Sequence, residues 1–142
     1  MIYTPLTKLA MKIAYEAHHG QTDKSSTPYI YHPIHLAEQM NDEKSACVAL
    51  LHDVVEDTVI TLQNLAEYGF DDEIIEALRL MTHDKSVSYM DYVREIKKNP
   101  IAVKVKIADL MHNSDLSRLD IVDDKAKARV EKYQKAIEIL KS

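Results

Sequence analysis

Within Leu51-His52-Asp53-Val54-Val55-Glu56-Asp57-Thr58, one imidazole and three carboxylates share barely more than one helical turn. Imidazole nitrogen and carboxylate oxygen together suit divalent cations of intermediate hardness, such as Mn, Fe, Co, Ni or Zn. Further acids beside such a cation can orient or deprotonate the water it activates. Read as one helix, the run places Glu56 four residues after His52 and Asp57 four after Asp53, so each pair shares a helix face. The chemistry implied is metal-assisted hydrolysis.

A site with four donors needs residues from elsewhere in the chain. His32, in Tyr29-Ile30-Tyr31-His32-Pro33, and Asp109, in Lys106-Ile107-Ala108-Asp109-Leu110-Met111-His112-Asn113, are the candidates. Asp53 and Asp109 both adjoin apolar runs, Val48-Ala49-Leu50-Leu51 and Val103 to Ile107, where an unpaired buried carboxylate is costly. A shared cation would offset that cost for both. Taken singly, each signal has a plainer reading: a His before Pro33 as a helix-entry residue, Glu56-Asp57 as a solvated helix end. His112, three residues from Asp109, is either a fifth ligand or a support packed below the site. Tyr29 and Tyr31 either line a pocket or cover the core. His18, His19, His35 and His83 belong to no comparable constellation and read as caps, surface residues or supporting groups.

The elements that must position these residues are all helical. Thr4-Pro5 reads as N-cap and first helical position, opening a helix to about His18 with Leu6, Leu9, Ile13 and Ala17 inward. After a polar loop over residues 20 to 31, Pro33 opens a short helix through Met40. Asn41 or Asp42 then caps a third, running to about Val55 with the His-Asp pair near its end. Thr61 caps a fourth ending before Gly69, Asp71 or Asp72 begins a fifth through Met81, and a sixth spans about Val87 to Lys98. Asn99-Pro100 is a stop and restart, after which Val103, Ile107, Leu110 and Met111 face inward; a last helix covers about Asp123 to Lys141. Gly20 and Gly69 both follow helical patterns, where left-handed C-terminal caps belong. Val103-Lys104-Val105-Lys106-Ile107 alternates like a strand, yet no strand is expected.

The 142 residues suffice for one good core, and no linker, low-complexity tract or internal repeat divides them, so residues 1–142 read as a single domain. The N-terminus lacks the basic and apolar regions of a leader, and no run approaches a membrane span, which predicts a soluble, cytoplasmic protein without a membrane partner. Cys47, the only cysteine, excludes an internal disulfide and sits in an apolar run that suits core packing. A net charge of −5 with scattered basic residues excludes a general nucleic-acid binder. Anionic substrate must be held locally, by the metal and a few cations. Oligomeric state is not legible.

Four separated strings, His19-Gly20-Gln21, Pro28-Tyr29-Ile30-Tyr31-His32-Pro33, Ala49-Leu50-Leu51-His52-Asp53-Val54-Val55-Glu56-Asp57-Thr58 and Lys106-Ile107-Ala108-Asp109 with His112-Asn113, stand in one order over roughly residues 5 to 120. In order and spacing they resemble the HD-type hydrolase domain of the RelA/SpoT alarmone enzymes, and most of all the stand-alone small alarmone hydrolases (Mesh1-like). The resemblance implies an all-α HD-domain helical bundle. It implies one metal ion, usually Mn²⁺, held by His32, His52, Asp53 and Asp109, although two nitrogens and two carboxylates do not themselves choose Mn over Fe, Co or Zn. It also implies Glu56 and Asp57 as the catalytic acids that position and activate water, with Lys24, Ser25 and Asn113 binding substrate. The activity implied is removal of the 3′-pyrophosphate of (p)ppGpp, a phosphorylated purine nucleotide, to give GDP or GTP.

The chain departs from that pattern where the base would be read. Asp23 stands nine residues before His32, where many alarmone hydrolases carry Arg, and a carboxylate neither stacks on a purine nor attracts phosphate. Ser26 replaces the usual loop glycine, Leu116 a common Thr, and Leu110 the basic residue after the metal Asp. Asp23 could instead accept from an adenine amino group. Alternative functions are therefore hydrolysis of (p)ppApp, of the NADPH 2′-phosphate or of another phosphorylated nucleotide, or a catalytically weak nucleotide-sensing module. Intact Glu56 and Asp57 count against the last.

Overall fold

Short polar side chains start all the α-helices but those at Tyr31–Glu38 and Val54–Asp57. In the computed structural model, which describes residues 1–142, Thr4 closes a reciprocal capping box with Thr7 ahead of α1 (Pro5–Ala17), and Pro5 takes the first turn. Asp42 caps α3 (Glu43–Leu51), Thr61 caps α5 (Leu62–Glu67) and Asp71 caps α6 (Asp72–Met81). Ser88, Asn99 and Asp123 do the same for α7 (Tyr89–Ile96), α8 (Pro100–Asn113) and α9 (Asp124–Lys141). Each cap accepts a backbone N–H that the helix cannot satisfy, worth about 1 kcal/mol. Gly20 (φ +85°) and Gly69 (φ +104°) take the left-handed conformation expected of them. The fold is all-α, with one isolated bridge between Thr22 and Pro28.

Three local expectations are corrected. First, α2 (Tyr31–Glu38) begins two residues before Pro33, which occupies its first turn, where a missing N–H costs nothing. Second, the third helix ends at Leu51 rather than Val55. A continued helix would offer the Ala49 carbonyl to the Asp53 N–H, but His52 Nδ1 takes it at 2.7 Å, and a separate turn, α4 (Val54–Asp57), starts after Asp53. Third, the buried faces are rotated. In α1 the fully buried positions are Thr7, Ala10, Ile13 and Ala14, with Leu6, Leu9 and Ala17 half-buried, because small residues let α1 approach α3 closely. In α8 Ala102, Val105, Ala108, Asp109 and Leu110 are buried, while Met111 is exposed. With Asp109 turned inward, Met111 lies about 200° further round the helix. The alternating stretch Val103–Ile107 is helical, as expected.

The central element is α3, buried from Ser45 to Leu51 and packed against α1, α2, α6 and α8. A helix apolar on every side belongs inside. Cys47 lies fully within that core. His52 and Asp53 follow the buried helix directly, so the core itself fixes their position. α8 crosses α3 and carries Asp109 to them, α2 brings His32 against both, and α9 closes the far side of α8.

Candidate metal centre and adjoining cavity

His32, His52, Asp53 and Asp109 each present one ligand atom, and these four atoms lie within 4.8 Å of one another. His32 Nε2 stands 2.9 Å from Asp109 Oδ1 and 4.0 Å from Asp53 Oδ2. His52 Nε2 stands 2.9 Å from Asp53 Oδ2 and 3.5 Å from Asp109 Oδ1. All but Asp53 are buried, and Asp53 is mostly so. The structure thus brings together the four residues named as ligands from the sequence.

The donors fit a divalent cation. With its Nδ1–H spent on the Ala49 carbonyl, His52 aims Nε2 between two carboxylate oxygens, without hydrogen-bond geometry to either. Burial disfavours charge on His52, yet the Asp53 and Asp109 carboxylates outweigh it and raise its pKa well above the ordinary imidazole value. A field that favours positive charge at this point favours a metal ion there for the same reason. Burial alone would raise Asp109, but Lys106, His32 and His52 hold it well below the usual carboxylate range; His52 lowers Asp53 in the same sense.

Supporting contacts orient the donors. Lys106 Nζ lies 2.9 Å from Asp109 Oδ2, which leaves Oδ1 toward the two imidazoles. Asn113 Nδ2 donates to Asp109 Oδ1 at 3.0 Å, and the Tyr29 hydroxyl donates to Asp53 Oδ2. His112 is no fifth donor: its Nδ1 meets His32 Nδ1 at 2.7 Å, and its ring stacks on His35. Burial, followed by the positive charge of Arg118, pushes His112 down to about 4, so it is a neutral ring able to accept. Metal-ligating imidazoles commonly donate their second nitrogen in this manner.

Glu56 and Asp57 sit on α4, directly beyond Asp53. Glu56 Oε1 accepts the His83 N–H at 3.0 Å, which links α4 to the turn after α6. Burial first, then the negative charge of Asp53, raises both carboxyls above their ordinary values, the His83 bond opposing this in Glu56. Raised carboxyl pKa values suit proton acceptors better than permanently ionised groups.

Beside the cluster lies a cavity of about 440 Å³ whose wall includes His32, Tyr29, Lys24, Ser25 and Asn113. Lys24 faces it from the exposed loop. Ser25 lines it too, but its hydroxyl donates to the Arg118 carbonyl at 3.0 Å and accepts the Asp120 N–H at 3.2 Å, fastening the loop to the segment after α8. Asp23 spends Oδ1 on the Ser25 and Thr27 N–H groups, at 2.8 and 3.0 Å, and turns Oδ2 toward Arg118. Ser26 holds a left-handed φ of +63°, the glycine conformation in a residue with a Cβ. Tyr31 is exposed and Tyr29 reaches the centre, so the two tyrosines part company.

Three residues of this region escaped the sequence reading. Lys106 was legible as the i−3 neighbour of Asp109 but was hidden in an alternating stretch. Arg118 and Arg129, which also line the cavity, carry no local signal.

A family model for the HD domain matches residues 10–137. The chain belongs to the HD-domain family. This HD domain is 34% identical over 118 residues to the bifunctional (p)ppGpp synthase/hydrolase SpoT of Escherichia coli, covering 73% of the chain and 17% of that protein. It is 34% identical over 120 residues to the guanosine-3′,5′-bis(diphosphate) 3′-pyrophosphohydrolase of Borreliella burgdorferi, covering 73% and 18%. The chain therefore spans about a sixth of the length of these curated relatives. A solved metazoan ortholog of SpoT, described as hydrolysing ppGpp, superposes with a TM-score of 0.78 over 100% of this chain and 89% of its own, at 24% identity. That likeness confirms the helical HD fold. No helix is long and apolar enough to cross a membrane.

Proposed function

We propose that this HD domain is a metal-dependent hydrolase that removes the 3′-pyrophosphate of (p)ppGpp, with Mn²⁺ as its metal. The observation that carries the reading is the convergence of four ligand atoms within 4.8 Å beside a cavity lined by cations. The names of the relatives from Escherichia coli and Borreliella burgdorferi supply the substrate.

His32, His52, Asp53 and Asp109 would hold the ion. When bound, the ion supplies Lewis-acid polarisation of a phosphate oxygen and acidifies the attacking water. Glu56 and Asp57 orient that water and take its proton, a role to which their raised pKa values suit them. The water oxygen forms a bond to the phosphorus attached to the 3′-oxygen; the bond from phosphorus to that oxygen breaks, pyrophosphate leaves and the 3′-oxygen is protonated. Asn113, fixed by its bond to Asp109, directs its second N–H to the nucleotide. Lys24 offers its ammonium to phosphate, and Ser25 holds the loop that presents it. Asp23 spends Oδ1 on the loop backbone and faces the Arg118 guanidinium with Oδ2, which weakens the case for adenine recognition by that residue.

The test is turnover of metal-stripped protein reloaded with Mn²⁺, against ppGpp, pppGpp, ppApp and NADPH, with Asp53→Ala as control. Pyrophosphate released from ppGpp, and lost in the variant, supports the reading. Turnover of another nucleotide in preference, or of none, refutes it.

A further inference from the structure

We propose that Arg118 is the specificity-determining cation of the cavity, gripping a phosphate of the nucleotide other than the one attacked, with Asp23 as the counter-charge that tunes it. This rests on the cavity being the nucleotide site.

Lys24, Arg118 and Arg129 all line the cavity, but Arg118 is held in place. Its Nη1 donates to the His112 carbonyl at 2.9 Å and reaches Asn113 Oδ1 at 3.4 Å. Because Asn113 in turn donates to Asp109, Arg118 stands one residue removed from the metal centre, outside its ligand set. Its side chain also borders a neighbouring cavity of about 290 Å³ lined by His35 and His112. A guanidinium already ordered in this way loses little freedom on gripping a ligand.

The pairing with Asp23 leaves that grip available. Arg118 Nη2 lies 3.8 Å from Asp23 Oδ2, close enough for attraction but too long for a hydrogen bond. Only Nη1 makes hydrogen bonds, so the Nη2 and Nε donors remain for a ligand. A planar fork with two free donors suits bidentate binding of a phosphate. Asp23, its other oxygen fixed by the loop backbone, lowers the positive potential at that fork and so limits how tightly any anion is held. The metal centre takes the scissile group, and Arg118, beyond Asn113, takes the 5′-diphosphate.

The test is calorimetric binding of ppGpp and of guanosine 3′-diphosphate, which lacks the 5′ phosphates, to Mn²⁺-loaded protein in a Glu56→Gln background that suppresses turnover. Arg118→Ala should weaken ppGpp binding roughly tenfold or more, the range of a charge-assisted hydrogen bond, and leave guanosine 3′-diphosphate nearly unaffected. Arg118→Lys, which keeps the charge and loses the fork, should fall between. Asp23→Asn retains the loop acceptor, should tighten ppGpp binding several-fold, and should have no such effect when Arg118 is already Ala. Equal affinity of parent and Arg118→Ala for ppGpp, including an equal absence of binding, overturns the assignment. The proposed reaction fails on a different result, a wild type that binds ppGpp through Arg118 yet releases no pyrophosphate.

Discussion

His32 and His112 meet Nδ1 to Nδ1 at 2.7 Å, their ring planes 3° apart. Two imidazole nitrogens at that distance share one proton between them, so one ring donates and the other accepts. The arrangement that frees His32 Nε2 as a lone-pair donor places the hydrogen on His32 Nδ1 and makes neutral His112 the acceptor.

Replacing His112 with Ala removes that acceptor while leaving all four candidate ligands in place. Divalent metal affinity should fall about 10- to 100-fold, the usual cost of losing an outer-shell partner. Mn²⁺ titration followed by electron paramagnetic resonance reads this directly, and His112→Asn, which retains an acceptor, should recover part of the loss. Unchanged Mn²⁺ affinity in the Ala variant would show that His112 merely fills space.

Buried Asp109 pairs at 2.9 Å with the mostly buried Lys106, so little water would replace that partner if it went. Lys106→Met should destabilise the metal-free protein by about 3 kcal/mol, because it strands a buried charge. Urea unfolding of this variant, of Asp109→Asn and of the double variant gives the coupling: the double should cost clearly less than the sum. Strict additivity would mean that the pair is not coupled.

Burial, then the charges of Glu43 and Asp71, push the Cys47 thiol up to about 12. A raised pKa means that the native state keeps its proton after the unfolded chain, with a thiol near 8.5, has lost it. The resulting stabilisation is therefore complete below the unfolded value and is lost as pH rises toward 12. Native protein at pH 8 should not react with a thiol reagent on a timescale at which urea-unfolded protein reacts fully. Rapid native labelling would contradict the buried assignment.

Ser26 occupies a left-handed backbone conformation that its Cβ disfavours. Ser26→Gly should raise stability by about 1 kcal/mol, the relieved strain being partly offset by the greater freedom of glycine when unfolded. A urea midpoint that stays level or falls would count against strain at this turn.

The sequence by itself marked most of the helices and the candidate ligands. Caps at Thr4 and Thr61 are short-range hydrogen-bonding signals, and they act on the next few residues whatever the rest of the chain does. The His52-Asp53 pair, His32 and Asp109 were likewise legible, because imidazoles and carboxylates beside apolar runs demand a partner. Tertiary structure alone decided what lies between the elements. The break after Leu51 turns on a side chain that takes its own helix's carbonyl, which periodicity cannot register. Arg118 faces Asp23 across a separation of 95 residues in sequence, and Lys106 turns inward because α8 presents Asp109 to α3. Such pairings depend on how helices cross, a matter of packing volume and buried charge summed over the whole core, to which no local stretch of sequence has access.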